Sequence, residues 1–324
     1  MRRRAFIVLV AGATAWSLTP GAAIAQAYPT RPVTLVIPFP PGGGNDALGR
    51  MVADKMSKSI GQQIVVENRG GAGGTIATRA VARSASDGHT ILLAYTGTLA
   101  INPSLYANPG YDPRKDFAPI GLIAGLSSVL VVHPSLPVHS LAELIAFAKA
   151  RPDRIDYAFV PGTVGHITTE LFANTVGIEI TRIPYKGNGP AMTDLLGGHV
   201  SMMFLSILPV LEHVRAGTLR ALAVTSAIPS DLLPDVPTIA QSGVPGFSAA
   251  IHYGLLAPAG TRRGIIDRLN AALAAALSAD DVRARLAAEG AVPLPGTPED
   301  YAADIDHEET MWGALVRKLN LKVE

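Results

Sequence analysis

Apolar positions along the chain switch repeatedly between two periods. Val33 to Ile37 is a short, β-branched run, and from Ala47 apolar residues recur at 48, 51, 52 and 56, the spacing of one helix face. Between them lies Pro38-Phe-Pro-Pro-Gly-Gly-Gly-Asn-Asp46, so the stretch reads strand, glycine loop, helix. The pattern then returns. The helix ends near Gly61, Gln63 to Glu67 reads as a strand, and Asn68-Arg-Gly-Gly-Ala-Gly-Gly74 is a second glycine loop running into a helix. Asp87-Gly88 is a turn, and Thr90 to Tyr95 is a buried strand ending in Thr96-Gly97-Thr98. Strands alternating with helices predict a parallel sheet that binds its ligand at the strands' carboxyl ends, where the loops after residues 37, 67 and 95 fall.

A second series begins with the apolar strand Val129-Leu-Val-Val132. Ser140 caps a helix from Leu141 to Ala150, and Ile155 to Phe159 is a strand. Pro161-Gly-Thr163 opens a helix whose apolar face is Ile167, Leu171, Phe172 and Val176. Ile178 to Ile183 is the next strand and leads to Pro184-Tyr-Lys-Gly-Asn-Gly-Pro-Ala191. There Asn188 or Gly189 caps a helix with Pro190 at its first position, ended by Gly197-Gly198. Val200 to Leu205 and Leu219 to Thr225 give two more strands, and Phe247 to Leu256 reads as a return strand. Three helical segments follow, near 262–277, 280–289 and 298–318, the last started by Thr297 with Glu299-Asp300. The final helices most simply pack back on the first αβ unit. Two lobes crossed near 128 and 252 would enclose a cleft between facing loops.

The first glycine loop invites an anion. Gly42, Gly43 and Gly44 let the backbone approach a ligand, and Asn45 or Asp46 is a good N-cap for a helix whose free N–H groups and positive dipole end face it. A Walker loop is excluded, because Gly44 is followed by Asn-Asp-Ala where Lys-Ser/Thr is required. The dinucleotide fingerprint fits poorly, since Gly42 and Gly44 lack the third glycine at its spacing. A turn that binds nothing is the bland alternative for a lone loop of this kind. Several such loops, however, share backbone donors with little side chain in the way. Donors without fixed cations bind carboxylates reversibly, which favours a receptor over an enzyme.

Composition narrows the classes further. Met1-Arg-Arg-Arg, the apolar stretch Ala5 to Leu18 and the small residues before Ala25 or Ala27 read as an export signal over residues 1–27 rather than a membrane span. Arg3-Arg4-Ala5-Phe6 is compatible with either the twin-arginine or the general secretory route. The whole chain has 27 basic and 26 acidic residues; removing the three arginines of residues 1–27 leaves 24 against 26, a net of −2. So near-neutral a chain offers no basic field to nucleic acid or an anionic membrane. Zero cysteines exclude disulfides, thiol catalysis and thiolate metal sites. About 297 remaining residues exceed one small core, and two domains are the expectation.

No Gly-x-Ser-x-Gly, Ser-x-x-Lys or His-Glu-x-x-His occurs, and His307-Glu308-Glu309 lacks a second histidine. His166 is the histidine to keep, one turn into the helix opened by Pro161-Gly162, with helix packing as its ordinary role.

Five segments together resemble one family. Pro38 to Asp46, Val66-Glu-Asn-Arg-Gly-Gly-Ala-Gly-Gly74, Ala85-Ser-Asp-Gly-His-Thr-Ile-Leu-Leu93, Pro184 to Ala191 with Asp194-Leu-Leu-Gly-Gly198, and Leu233-Pro-Asp-Val-Pro-Thr238 are similar to segments of the solute receptors of tripartite tricarboxylate transporters, the Bug family. The resemblance covers essentially the whole chain after residue 27. It implies an α/β, two-lobed periplasmic binding fold with two crossovers: lobe 1 from 28–127 and 253–324, lobe 2 from 128–252. It also implies a small organic acid as ligand, membrane permease subunits as partners, no cofactor, no metal and no catalysis. A monomer is expected, since docking and release require no partner copy. By the same resemblance, Phe39, Pro41, Gly42, Gly43, Gly44, Asn45 and Asp46 form the loop that grips a carboxylate. Tyr95, Thr96 and Gly97, then Pro161, Gly162, Thr163 and His166, and then Tyr185, Lys186, Gly187 and Asn188, complete the cleft.

The chain departs from the family pattern in three places. The segment Tyr157-Ala-Phe-Val-Pro-Gly-Thr-Val-Gly-His166 is shorter and more apolar than usual, His252 stands where tryptophan is common, and Phe204-Leu205 replaces Phe-Asp or Phe-Gly. An aspartate near position 205 can pair a ligand ammonium; Leu205 cannot, and burying that charge unpaired is costly. The expected ligand is a carboxylate with an apolar or aromatic body. Two other readings stay open: a sensing receptor that presents its ligand to a signalling partner, and a secreted hydrolase or transferase using His166 with Thr163 or Asp46.

Overall fold

The computed structural model describes residues 28–42, 44–160, 163–318 and 320–322. The export signal, Gly43, Pro161 and Gly162 lie outside the described residues.

The first αβ unit forms as its periods require. Strand β1 (Val33–Ile37) leads to helix α1 (Gly44–Ile60), which stops at Gly61, a residue with φ +73. Then come β2 (Ile64–Asn68), a 3₁₀ turn over Ala72–Gly74, α2 (Thr75–Ala82) and β3 (Thr90–Tyr95). A π-helical turn over Gly97–Ile101 and the short α3 (Asn102–Leu105) precede β4 (Phe117–Leu126). The second unit is β5 (Ser128–Val132), α4 (Leu141–Ala150), β6 (Asp156–Phe159), α5 (Val164–Val176), β7 (Thr181–Pro184), α6 (Asn188–Leu196), β8 (Met202–Ser206), α7 (Ile207–Arg215) and β9 (Arg220–Val224). The chain returns through β10 (Ile251–Pro258) and closes with α8 (Arg263–Ser278), α9 (Asp280–Ala288), β11 (Ala291–Pro293), α10 (Pro298–Glu308), a π-helical turn over Glu309–Gly313 and α11 (Ala314–Lys318). Ser140 caps α4 by accepting from the Glu143 N–H, and Thr297 with Asp300 forms a reciprocal capping box on α10.

The expectation of a parallel sheet needs correction: both sheets are mixed. In the first, ordered β11-β4-β10-β3-β1-β2, β1 runs parallel to β2 and β3, while β10 is antiparallel to β3 and β4. In the second, ordered β7-β6-β8-β5-β9, β6 is parallel to β7 and β8, and β5 is antiparallel to β8 and β9. Strands β5 and β10, which receive the chain as it crosses between lobes, are antiparallel to both their neighbours, and β11 is antiparallel to β4, constraints that βα periodicity does not record.

Other differences have local causes. Strand β4 escapes the apolar pattern because Pro119 and Gly121 interrupt it; Pro119 is tolerated because β11 pairs only with Ala124 to Leu126, so β4 is an edge there. Helix α7 escapes it because Pro209 looks like a breaker, yet it lies in the first turn, where its missing N–H costs nothing. The strands expected from Ile178 and Phe247 begin later, at Thr181 and Ile251. Ile178 and Phe247 are apolar because they pack in the lobe-2 core, not because they sit in strands.

Apolar residues on both faces of each sheet build the cores, and α1, α8 and α9 cover one face of the first sheet. The last helical segment is less simply placed than expected. Trp312, Leu315 and Val316 join a cluster containing Leu130 and Phe172 of the second unit, and Lys318 donates to Asn174 at 2.8 Å. The C-terminus thus straps the two lobes together.

Candidate functional site

A cleft of about 520 Å³ opens between the lobes at the carboxyl ends of β1, β3, β6 and β8. Its position follows from chain direction: each parallel strand releases a loop toward the opposite sheet, and each loop starts a helix. Asn45 in the first turn of α1, Gly97 opening the π turn, Val164 and Gly165 opening α5, Asn188 opening α6, and Ser206 preceding α7 all line it. Four α-helix N-termini therefore meet one space. Neither Gly187 nor Ser206 caps its helix with a side chain, leaving first-turn N–H groups of α6 and α7 without that partner.

The walls between these termini are aromatic and aliphatic. Phe39 meets Tyr95 edge-on at 5.0 Å between centroids, and Tyr95 stacks with Tyr253 at 6.1 Å. Burial pushes the Tyr95 and Tyr253 phenols well above their usual range, so both stay neutral. From lobe 2 come Phe159, Val160, Met203, Phe204 and Leu205. His166 stacks on Phe159 at 4.4 Å, and burial lowers its pKa, with Glu170 partly opposing and Arg182 assisting. A lowered imidazole is neutral near pH 7. Among the described residues lining the cleft there is no lysine, arginine, aspartate or glutamate.

The first glycine loop is shaped from behind. Asp46 is buried and accepts from the Gly42 N–H at 3.0 Å, from Arg50 Nε at 3.0 Å and from Asn68 Nδ2 at 2.9 Å. Arg50, the Gly42 N–H and Asn68 pull its pKa down to about 2. Asn68 also donates to the Phe39 carbonyl at 3.1 Å, so one knot of side chains fixes both ends of the loop. Thr163 is similarly committed: its Oγ1 donates to the Val160 carbonyl at 2.8 Å and accepts from the His166 N–H at 3.4 Å, capping α5. Gly165 is required for close packing, since a Cβ there would lie 2.9 Å from the Phe204 carbonyl oxygen.

Of the expected site residues, the structure brings Phe39, Asn45, Tyr95, Gly97, Thr163, His166, Asn188 and Leu205 to the cleft. Others serve it indirectly or stand outside. Asp46 holds the loop, and Thr96 is buried behind Tyr95, where its Oγ1 accepts from the His252 N–H at 2.9 Å. Tyr185 donates to Asp194 at 2.7 Å. Pro41, Gly42 and Lys186 are exposed, and Pro41, Gly42, Gly44, Lys186 and Gly187 are not among the lining residues. Gly43, Pro161 and Gly162 are outside the described residues. The cleft also takes Gly73, Tyr106, Ser128, Ser206, Ile251 and Tyr253. Gly73 lies in the second glycine loop and Ser206 ends a strand, so position could have nominated both; Tyr106, Ile251 and Tyr253 carry no such signal.

Two mixed sheets joined by two crossovers, facing each other across a cleft ringed by helix N-termini, define a two-lobed α/β binding protein. The chain belongs to the receptors of the tripartite tricarboxylate transporter family: the model described as "Tripartite tricarboxylate transporter family receptor" matches residues 48–321. It is 42% identical to Protein BugT of Bordetella pertussis over 93% of each chain. Among solved structures it is similar to R. palustris Rpa4515 with adipate, at 40% identity and TM-score 0.75, covering 90% of this chain and 97% of that one. It is also similar to MatC from Rhodopseudomonas palustris with bound malate, at 34% identity and TM-score 0.72, covering 89% and 100%. The family's receptors are periplasmic, and among the described residues no helix is long and apolar enough to cross a membrane.

Proposed function

We propose that the protein is an extracytoplasmic receptor that takes a small organic carboxylate without an amino group, closes its lobes over it, and delivers it to the permease subunits of a tripartite tricarboxylate transporter. The observation that carries this reading is the convergence of helix N-termini on a cleft whose described lining holds no fixed charge. Backbone N–H groups and dipole ends supply the attraction for a carboxylate. The Phe39–Tyr95–Tyr253 row and Leu205 supply the surface for an apolar body. An ammonium would find no carboxylate partner among the described lining residues and would be desolvated at a loss. Adipate and malate, bound by the two relatives, are both carboxylates without an amino group.

Export through residues 1–27 and a monomeric mature chain belong to the same proposal, as do lobe 1 (28–127 with 253–324) and lobe 2 (128–252). The passages from β4 to β5 and from β9 to β10 support that division. A thermal-shift screen of residues 28–324 against citrate, C4 to C6 dicarboxylates, aromatic acids and amino acids tests the reading. A ligand at a thousand times its dissociation constant adds about 4 kcal/mol of stability. Stabilisation by acids lacking an amino group is expected. A response confined to amino acids would overturn the role given to Leu205, and no response to any carboxylate would overturn the receptor reading.

A further inference from the structure

On the far side of the β4–β5 passage lies a second cavity, a groove of about 370 Å³ lined from both lobes. Ile228 to Leu232 follow β9, Arg283 and Ala287 belong to α9, and Gly290 to Pro293 lead into and form β11. The wall between groove and ligand cleft is thin: Ser128 lines the cleft, and Ser127, the residue before it, lines the groove. The sheet orders agree. In the first sheet the cleft strands β1, β3 and β10 are followed by β4 and then β11; in the second, β6 and β8 are followed by β5 and then β9. The β4–β5 passage therefore stands between the two cavities like the pivot of a lever.

Leu232 makes the nearest approach to Gly290, with Ile207 behind it. Leu232 packs with the lobe-2 apolar cluster of Ile207, Val210 and Leu233, and its Cδ1 lies 3.0 Å from where a Cβ on Gly290 of lobe 1 would sit. Gly290 has φ +70, a conformation that favours glycine, and its missing side chain makes the seat for Leu232. We propose that Leu232 against Gly290 is a latch that resists closure of the lobes over the cleft. A rotation about the passage that narrows the cleft widens the groove and draws Leu232 off Gly290. The arrangement seen here keeps a packed contact that narrowing the cleft gives up. Apparent affinity then falls with the fraction of molecules able to close. This inference rests on the lobe-closure reading above.

The chain has no cysteine, so Arg69→Cys and Thr193→Cys supply unique spin-label positions. Both residues are exposed, one just after β2 and the other on α6. The inter-label distance is read first without ligand, by pulsed electron resonance. Leu232→Ala removes the contact and Leu232→Trp wedges the groove; each shifts the ligand-free distribution toward shorter distances. Leu208→Ala, on an exposed residue of α7, leaves it unchanged. Leu232→Ala remains informative if the tryptophan variant fails to show a native melting transition. An unchanged or lengthened distance in Leu232→Ala overturns the latch. Adipate, added to the labelled parent at a concentration that raises its melting temperature, tests closure separately. If the distance does not shorten, the closure reading fails, whatever the ligand-free variants show. Where it does shorten, Leu232→Ala binds adipate several-fold more tightly, and equal or weaker binding counts against the latch.

Discussion

Glu170 offers the sharpest test of how the second lobe holds its part of the cleft. Tyr157, fully buried on β6, donates its phenol to Glu170 Oε1 on α5, and Arg182 on β7 grips the same carboxylate through Nε and Nη2, each at 2.6 Å. Three elements are thereby tied together one turn beyond His166. The Arg182 side chain is 58% exposed, so its ion pair is worth no more than about 1 kcal/mol. The phenol is different, because without an acceptor in the core it costs roughly 1–3 kcal/mol. Glu170→Ala should therefore destabilise by about 2–4 kcal/mol. Glu170→Gln retains an acceptor for the phenol, and Tyr157→Phe removes the donor while Arg182 still holds the carboxylate; each should cost about 1 kcal/mol. Urea unfolding of residues 28–324, compared at constant slope, gives the ordering. If Glu170→Ala proved no worse than Glu170→Gln, the buried hydroxyl would not be the source of the stability, and this account of the network would be wrong.

Two further outcomes follow from the site and its surroundings. His252 faces Asp304 at 2.8 Å, and although burial lowers its pKa, the Asp304 and Glu308 charges override that and raise it above 6.5. Burial raises Glu308, partly offset by the His252 charge and by bonds from Thr96 and Trp312. A raised histidine stabilises fully below its unfolded pKa and loses that contribution as pH rises through the folded value; a raised glutamate favours the fold most while protonated. Both signs agree, so stability should fall as pH rises, from above about 4.5 for Glu308 and from above about 6.5 for His252, and His252→Asn should flatten the upper part of that slope in urea titrations at stepped pH. Leu205→Asp places a carboxylate in the cleft. Calorimetry should show binding of acids without an amino group weakened and binding of amino acids gained, and unchanged selectivity would remove Leu205 from the specificity argument.

Periodicity and local residue type determined the two αβ series, most strands and helices to within a few residues, and the caps at Ser140 and Thr297, because these depend on neighbours three or four positions away. The glycine loops announced the cleft for the same reason: a strand, a glycine run and a helix dictate where free N–H groups gather. Distant packing was not legible. Nothing local said that Asp46 would turn away from the cleft to accept from Asn68, that Tyr106 and Tyr253 would line it, or that α11 would strap both lobes. The direction of β4 and β10, and the seat that Gly290 makes for Leu232, were likewise decided only when the chain crossed between sheets. Those contacts join residues far apart in sequence, and the hydrophobic pattern constrains which residues are buried without naming their partners.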